Sequence, residues 1–172
     1  MSDAPFQLVR LQSSHVRATF DSGSAPLDNY FRHQVAQDVR RRVTTCYVAL
    51  TREQRIAGFY TLASAALLLS ELPSDKAKKL PRYPTVPAVR IGRLAVDRDF
   101  KGLGLGGALL ADALDRAIRA EIAAYALVVD AKDESAAAFY RHHGLTPFPS
   151  QPLVLFLPLV TAGRAGLDGD EV

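Results

Sequence analysis

Along the chain, apolar residues switch between strand-like runs and helical stripes, and each switch marks an element. Residues 6–11 form a short apolar run, which predicts a first strand. Asp21-Ser22-Gly23-Ser24-Ala25-Pro26 is a cluster of turn formers. Leu27, Tyr30, Phe31, Val35 and Val39 then recur at helical spacing, so one helix starting near residue 27 has a single buried face. It closes on Arg40-Arg41-Arg42, where positive charge suits the negative end of a helix dipole. Residues 43–50 and 56–63 flank a turn at Arg52-Glu53-Gln54-Arg55 and predict a hairpin. Residues 67–69 are apolar without a clear period. Residues 73–80 read as one short helix, and Pro81, Pro84 and Pro87 as a stiff, extended connector.

A central strand is expected over 88–96, followed by Lys101-Gly102-Leu103-Gly104-Leu105-Gly106-Gly107-Ala108 and a long helix. That helix carries Leu105, Leu109, Ala113 and Ala117 on one side, with Asp112, Asp115, Arg116 and Arg119 facing the other way. Residues 125–129 are apolar without alternation, as a strand covered on both faces would be. Asp133 or Ser135 can cap the next helix, which ends at Gly144. Strand-like pieces near 145–148 and 153–159 follow. The order of strands and helices predicts an α/β (α+β) fold with a mixed sheet. One domain is expected over 1–160, with a loose acidic tail over 161–172.

The glycine-rich stretch carries the chemistry. Glycine lets a backbone approach a ligand closely and adopt angles that other residues avoid. The first amides of a helix lack internal partners, and the dipole is positive there. A glycine turn between a strand and a helix is therefore suited to a pyrophosphate. A plain tight turn would leave the same letters. The Walker pattern fails, because Gly106-Gly107-Ala108 stands where Gly-Lys-Ser/Thr is needed. Gly102-x-Gly104-x-x-Gly107 matches the Rossmann letters, but it lies late in the chain and Asp130 is too far along.

Composition narrows the classes. The chain has 172 residues, 48% hydrophobic and 23% charged, which suits one globular domain. No apolar run is long enough for a membrane span, and no signal peptide is visible. Cytoplasmic location and no membrane association are expected. A single cysteine, Cys46, excludes an internal disulfide and reads as core. No His or Cys cluster has metal-ligand spacing, so no metal is expected. The formal charge is +3. Arg164 stands against Asp168, Asp170 and Glu171 in the tail, so the rest of the chain is more basic than that figure. Basic residues cluster in Arg40–Arg42 and again in Lys76, Lys78, Lys79, Arg82, Arg90 and Arg93. A solvated face explains one such cluster, whereas two in a small domain point toward a polyanionic partner.

Two signatures, in order and with a strand between them, resemble the GCN5-related N-acetyltransferase (GNAT) superfamily. The first is Leu94-Ala95-Val96-Asp97 ahead of Lys101-Gly102-Leu103-Gly104-Leu105-Gly106, with Lys101 where Gln or Arg is usual. The second is Ala136-Ala137-Ala138-Phe139-Tyr140-Arg141-His142-His143-Gly144. Asp133-Glu134-Ser135 stands where many members have Asn. Phe20-Asp21-Ser22-Gly23, Leu27-Asp28-Asn29-Tyr30 and Arg93-Leu94-Ala95-Val96-Asp97-Arg98 are similar, more narrowly, to the acetyltransferase toxins of type II toxin–antitoxin pairs.

The resemblance implies a single GNAT-like domain with a mixed, mostly antiparallel central sheet flanked by helices. It implies acetyl-CoA as co-substrate and acetylation of the α-amine of aminoacyl-tRNA, which blocks translation. Tyr140 would act as general acid on the leaving thiolate. Leu94, Ala95 and Val96 would pair with the pantetheine arm, and Gly102, Leu103, Gly104, Gly106, Gly107 and Ala108 would hold the pyrophosphate. Lys101 would add charge there, and Asp133 a further cofactor contact. Arg40, Arg41, Arg42, Lys76, Lys78, Lys79, Arg90 and Arg93 are the candidate tRNA contacts, with Arg90 and Arg93 given the higher weight because they flank the cofactor strand. A ribbon-helix-helix antitoxin is the implied partner, and a homodimer is an allowed state. Acetylation of a small-molecule or protein amine is the alternative, and an inactive acetyl-CoA-binding module a third reading. For Tyr140 outside the family, a core aromatic is the ordinary role.

Overall fold

The computed structural model describes residues 5–166. The elements in chain order are β1 (Gln7–Arg10), α1 (Ala25–His33), α2 (Val35–Arg40), β2 (Thr45–Leu50), β3 (Ile56–Leu68), α3 (Ser74–Ala77), β4 (Thr85–Val96), α4 (Leu105–Arg119), β5 (Ala126–Asp130), α5 (Glu134–His142), β6 (Thr146–Phe148), β7 (Gln151–Pro158) and α6 (Leu159–Gly166). The strands form a seven-stranded sheet in the order β1-β2-β3-β4-β5-β7-β6. Pairings β1–β2, β2–β3, β5–β7 and β6–β7 are antiparallel, and β4–β5 is parallel, so the sheet is mixed and mostly antiparallel. The chain folds as two compact units, Met1–Ala63 with Gly92–Ala113, and Ser64–Ile91 with Leu114–Val172.

The first unit is built on aromatic packing. Phe31 and Phe59 stack with centroids 4.1 Å apart, and Phe20 meets Phe59 edge-on at 5.4 Å. Val35, Cys46, Val48, Leu50, Ile56 and Ala95 complete the cluster. The apolar stripe of 27–39 is thus buried as its spacing predicts, but it runs over two helices. Gln34 leaves helical angles at φ −126° and separates α1 from α2. The Tyr30 hydroxyl bridges the break by donating to Asp38 at 2.9 Å. No proline or glycine marks the break, so nothing local announces it. On α4, Leu105, Leu109, Leu110 and Ala113 are buried, as the stripe requires. Asp112, expected to face outward, instead accepts a hydrogen bond from the hydroxyl of Tyr60, a fully buried residue. A buried phenol needs a polar partner.

Gly58 on β3 sets how closely these pieces approach. A Cβ there would lie 3.0 Å from the Ala95 carbonyl and 3.0 Å from Leu109 Cδ1. The absence of a side chain lets the first turns of α4 and the end of β4 pack directly on β3.

The second unit buries Leu67, Leu72, Val86, Ala88, Ala126, Val128, Phe148 and Phe156 together. Ala126 through Val129 have no exposed surface, in keeping with a run that does not alternate. The Asp133 carboxylate caps α5 by accepting from the Ala136 amide at 2.8 Å, and Gly144 closes it at φ +94°. Four expectations differ here. β3 continues to Leu68 and absorbs the apolar run, followed by a 3-10 turn at Leu69–Glu71. The helix expected over 73–80 is only the four residues of α3. The proline connector is partly strand, because β4 begins at Thr85 and includes Pro87, whose carbonyl accepts from the Tyr125 amide at 2.8 Å. A ladder position that uses only the carbonyl tolerates proline. Finally, α6 runs through 159–166, past the expected start of a loose tail, and its first residue Leu159 is buried and donates to the Tyr125 carbonyl. The rest of that tail, 167–172, lies outside the described residues.

Gly58→Val tests the close approach. Overpacking of this kind costs about 1–3 kcal/mol. The denaturant midpoint should fall with an unchanged m-value, whereas an unchanged midpoint would show that the contact carries no weight.

Candidate active site

In the first unit the glycine loop leaves the end of β4 through a 3-10 turn at Arg98–Phe100. Asp97 organises it. This carboxylate is 2% exposed. Its Oδ2 accepts from the Asp21 amide at 3.0 Å, and its Oδ1 accepts from the Asp99 amide at 3.0 Å and from Arg55 at 3.3 Å. The Arg98 amide donates to the Asp21 carbonyl at 2.9 Å, so the segment around Asp21 is fastened to the loop. Lys101 joins the same fastening by donating from Nζ to the Ser22 carbonyl at 2.7 Å. The charge expected at a pyrophosphate is therefore partly engaged in holding the loop.

Beyond Lys101 the loop opens. Gly102 and Gly104 sit at φ +80° and +78°, angles that L side chains rarely adopt. An added Cβ at either would meet nothing within 4 Å. Conformation, not crowding, demands glycine at these two positions, and the backbone face is left clear. Leu103 between them is 65% exposed. α4 starts at Leu105, so Gly106 and Gly107 lie in its first turn, where amides have no helical partner, while the Ala108 amide already donates to the Gly104 carbonyl at 3.1 Å. An exposed glycine backbone running into a helix N-terminus fits a pyrophosphate.

Nearby in sequence, Leu94 and Val96 are half-buried and Ala95 is buried. The β4–β5 register runs from Ala88–Ala126 to Ile91–Val129 and stops before them. Arg93 lays its guanidinium over the Tyr30 ring at 3.5 Å. It lines a cavity of about 420 Å³ with Asn29, His33, Gln34 and Gln37. Burial, and secondly the hydrogen bond to Asp38, push the Tyr30 phenol well above its usual range. Asn29, His33 and Gln37 were not singled out in the sequence, although they recur every four residues. Arg40, Arg41 and Arg42 are exposed at the end of α2, with Arg42 at φ +61°.

In the second unit Tyr140 lies on α5 and is 7% exposed. Burial pushes its phenol up to about 12. Its ring packs edge-on to Phe139 at 5.2 Å, and no protein group among the described residues hydrogen-bonds its hydroxyl. Phe139 is half-buried and also meets His143 at 4.5 Å. The hydroxyl oxygen is not fully buried, so it reaches solvent and is open to a partner from outside the chain. Asp133 uses one carboxylate oxygen as the α5 cap, which limits it as a ligand contact. Arg90 is ion-paired with Asp130. Lys78 and Lys79 are exposed, and Lys76 is half-buried. Among the described residues no group of three or more His, Cys, Asp or Glu could hold a metal ion, and no helix is long and apolar enough to cross a membrane.

Comparisons with known proteins show the family and the fold. The model of the Acetyltransferase (GNAT) family matches residues 8–145. A tRNA-acetylating toxin of Mycobacterium tuberculosis is 36% identical over 163 residues, which cover 94% of this chain and 95% of that protein. Among solved structures, AtaT complexed with acetyl-methionyl-tRNAfMet superposes with a TM-score of 0.87 at 28% identity, covering 94% of this chain and 99% of that one. AtaTR bound with AcCoA matches with a TM-score of 0.82 at 26% identity, over 94% and 98% of the two chains. With the strand, the glycine loop and the tyrosine helix in place, this chain belongs to the GNAT acetyltransferase family.

Proposed function

We propose that this protein is an acetyl-CoA-dependent N-acetyltransferase toxin that acetylates the α-amine of aminoacyl-tRNA and so blocks translation. The observation that carries the reading is the 36% identity, over 94% of the chain, with a tRNA-acetylating toxin. The cofactor half of the reading is supported by the open, positive-φ glycine backbone that leads into α4. Gly102, Leu103, Gly104, Gly106, Gly107 and Ala108 bind the pyrophosphate. Lys101 contributes charge while remaining anchored to Ser22, and Asp133 acts first as a helix cap. Leu94, Ala95 and Val96 offer backbone groups to the pantetheine arm in the manner of an added strand.

In the reaction the neutral amine nitrogen attacks the thioester carbonyl carbon. The carbon–nitrogen bond forms, the carbon–sulfur bond breaks, the amine gives its proton to water, and the departing thiolate, held by a hydrogen bond, takes a proton from water. A free α-amine has a pKa of about 7.7–8.0, so a useful fraction is nucleophilic near neutral pH without a strong base. Tyr140 donates its hydroxyl hydrogen to sulfur as charge builds there. A phenol held near 12 is a weaker acid than an ordinary thiol of about 8.5. Tyr140 therefore stabilises the departing thiolate by a hydrogen bond more than by complete proton transfer.

The tRNA body is held through phosphate contacts by exposed cations. Arg40, Arg41, Arg42, Lys78 and Lys79 suit that role best, with Lys76 beside them. Arg90 is committed to Asp130, and Arg93 to the ring of Tyr30. These engagements make each of the two less suited to meeting phosphates. The partners are aminoacyl-tRNA and a ribbon-helix-helix antitoxin, with a homodimer as an allowed assembly and the cytoplasm as the place of action. The charge balance disfavours the alternative of a small cationic amine, which would call for an acidic pocket.

Labelled acetyl-CoA with charged tRNA tests the reading. Label should appear on the ester-linked amino acid and fade as salt rises, because phosphate contacts release counterions. Label confined to free amines or protein would reject it. Tyr140→Phe should lower kcat by about 10²-fold or more with little change in the acetyl-CoA KM; unchanged kcat would remove Tyr140 from the chemistry. The pH profile separates its role further. Because burial raises the phenol pKa, its protonated form persists above pH 10 and is lost only as pH rises toward about 12. The rate should rise as the amine deprotonates and then stay level through pH 10. A fall centred near 10 that vanishes in Tyr140→Phe would contradict this.

A further inference from the structure

In the second unit, the segment from α3 to the start of β4 has two chemically different sides. Leu72 is buried in the core cluster, and Leu69, Ala77 and Leu80 pack against it. The Leu69 amide donates to the Pro84 carbonyl at 3.1 Å, and the Leu80 amide to the Ala77 carbonyl at 3.1 Å. These contacts pin the segment from beneath. What it presents to solvent is Lys78, Lys79, Arg82 and Tyr83, all exposed. Tyr83 is 65% exposed, an unusual position for a large aromatic ring. Pro81 and Pro84 bracket it and restrict the local backbone.

The charge around this ring is one-sided. Lys76, Lys78, Lys79 and Arg82 form no ion pair among the described residues. Two carboxylates belong to this stretch: Glu71, in the turn before α3, and Asp75, which bears on Tyr125, raising its phenol pKa behind burial as the larger cause. A flat ring amid unpaired cations, held on a stiffened backbone, is the combination that grips unpaired nucleotides. The cations follow the phosphates, and the ring offers a face to a base. A second copy of this chain would bring like charge to the same surface and is disfavoured.

We infer that Tyr83 is a stacking platform for an unpaired base of the substrate tRNA, with Lys78, Lys79 and Arg82 holding the adjoining phosphates. The inference rests on the proposed tRNA-directed activity and adds to it a contact with a single-stranded nucleotide. Because the ring is exposed and makes no hydrogen bond among the described residues, its removal should leave the fold intact.

The test is fluorescence-anisotropy binding of the full chain to deacylated tRNA and to a blunt RNA duplex of similar length. Tyr83→Ala should weaken tRNA binding about tenfold and leave duplex binding unchanged, while Tyr83→Trp keeps wild-type affinity. Lys79→Ala should weaken both RNAs alike and lower the salt slope by about one. Unchanged tRNA affinity in Tyr83→Ala, or equal losses on tRNA and duplex, overturns the inference. So does a variant that loses only a protein partner. Acetyl transfer by the wild-type protein to aminoacyl-tRNA is measured alongside. If the wild type transfers and Tyr83→Ala binds tRNA normally, the stacking role fails alone. If the wild type neither binds nor modifies tRNA, the proposed function fails with it.

Discussion

A buried carboxylate governs the loop on which the first unit's chemistry rests. Removing an ionised carboxylate from water is costly unless its lone pairs are met. Asp97 meets them with two backbone amides and Arg55. That requirement fixes the turn after β4, because the amides of Asp21 and Asp99 have to converge on one side chain. The turn in turn sets where Lys101 points and where Gly102 and Gly104 adopt positive φ. Gly58 supplies the complementary constraint from below, since only a residue without Cβ lets Leu109 and the Ala95 carbonyl come so near. The loop is thus held by polar pairing at its neck and by close packing at its base, while its glycine backbone stays clear.

Much of this was legible in the residues. The stripe Leu105, Leu109, Ala113 and the glycines before it gave the helix and its N-terminal loop, because a helical period and a glycine cluster are both local signals. Asp133 as a cap and Gly144 as a stop were readable for the same reason. What escaped depends on distant partners. Asp97 stood in the quoted motif, yet its function follows from Asp21 and Arg55, far away in sequence. The helical period assigns Asp112 to a solvated face, but the buried Tyr60 hydroxyl donates to it. The break at Gln34 has no proline or glycine to betray it. Pro87 within β4 misled because the ladder there uses its carbonyl only. The side chains around Arg93 share a spacing of four, a signal present in the sequence but hidden until Tyr30 gave the guanidinium a surface.

Catalysis in this account asks little of acid–base chemistry and much of placement. A useful fraction of the α-amine is already neutral near neutral pH, so holding it against the thioester is where rate is gained. In the proposed reaction Tyr140 adds a hydrogen bond to the departing sulfur, and burial, by raising its phenol pKa to about 12, would keep that hydrogen in place over the working range. In the proposed function, affinity for the nucleic acid would come from exposed cations and be general in character. Selection of aminoacyl-tRNA over other amines then follows from recognising the RNA as well as the amino acid.

The most direct measurement compares kcat/KM for an aminoacyl-tRNA with that for the methyl ester of the same amino acid at fixed acetyl-CoA. The two amines are chemically alike and differ in the body attached to them. The account predicts that the aminoacyl-tRNA is preferred by several orders of magnitude and that the preference shrinks as salt rises. A methyl ester used as well as the aminoacyl-tRNA would contradict it and identify a small-molecule acetyltransferase instead.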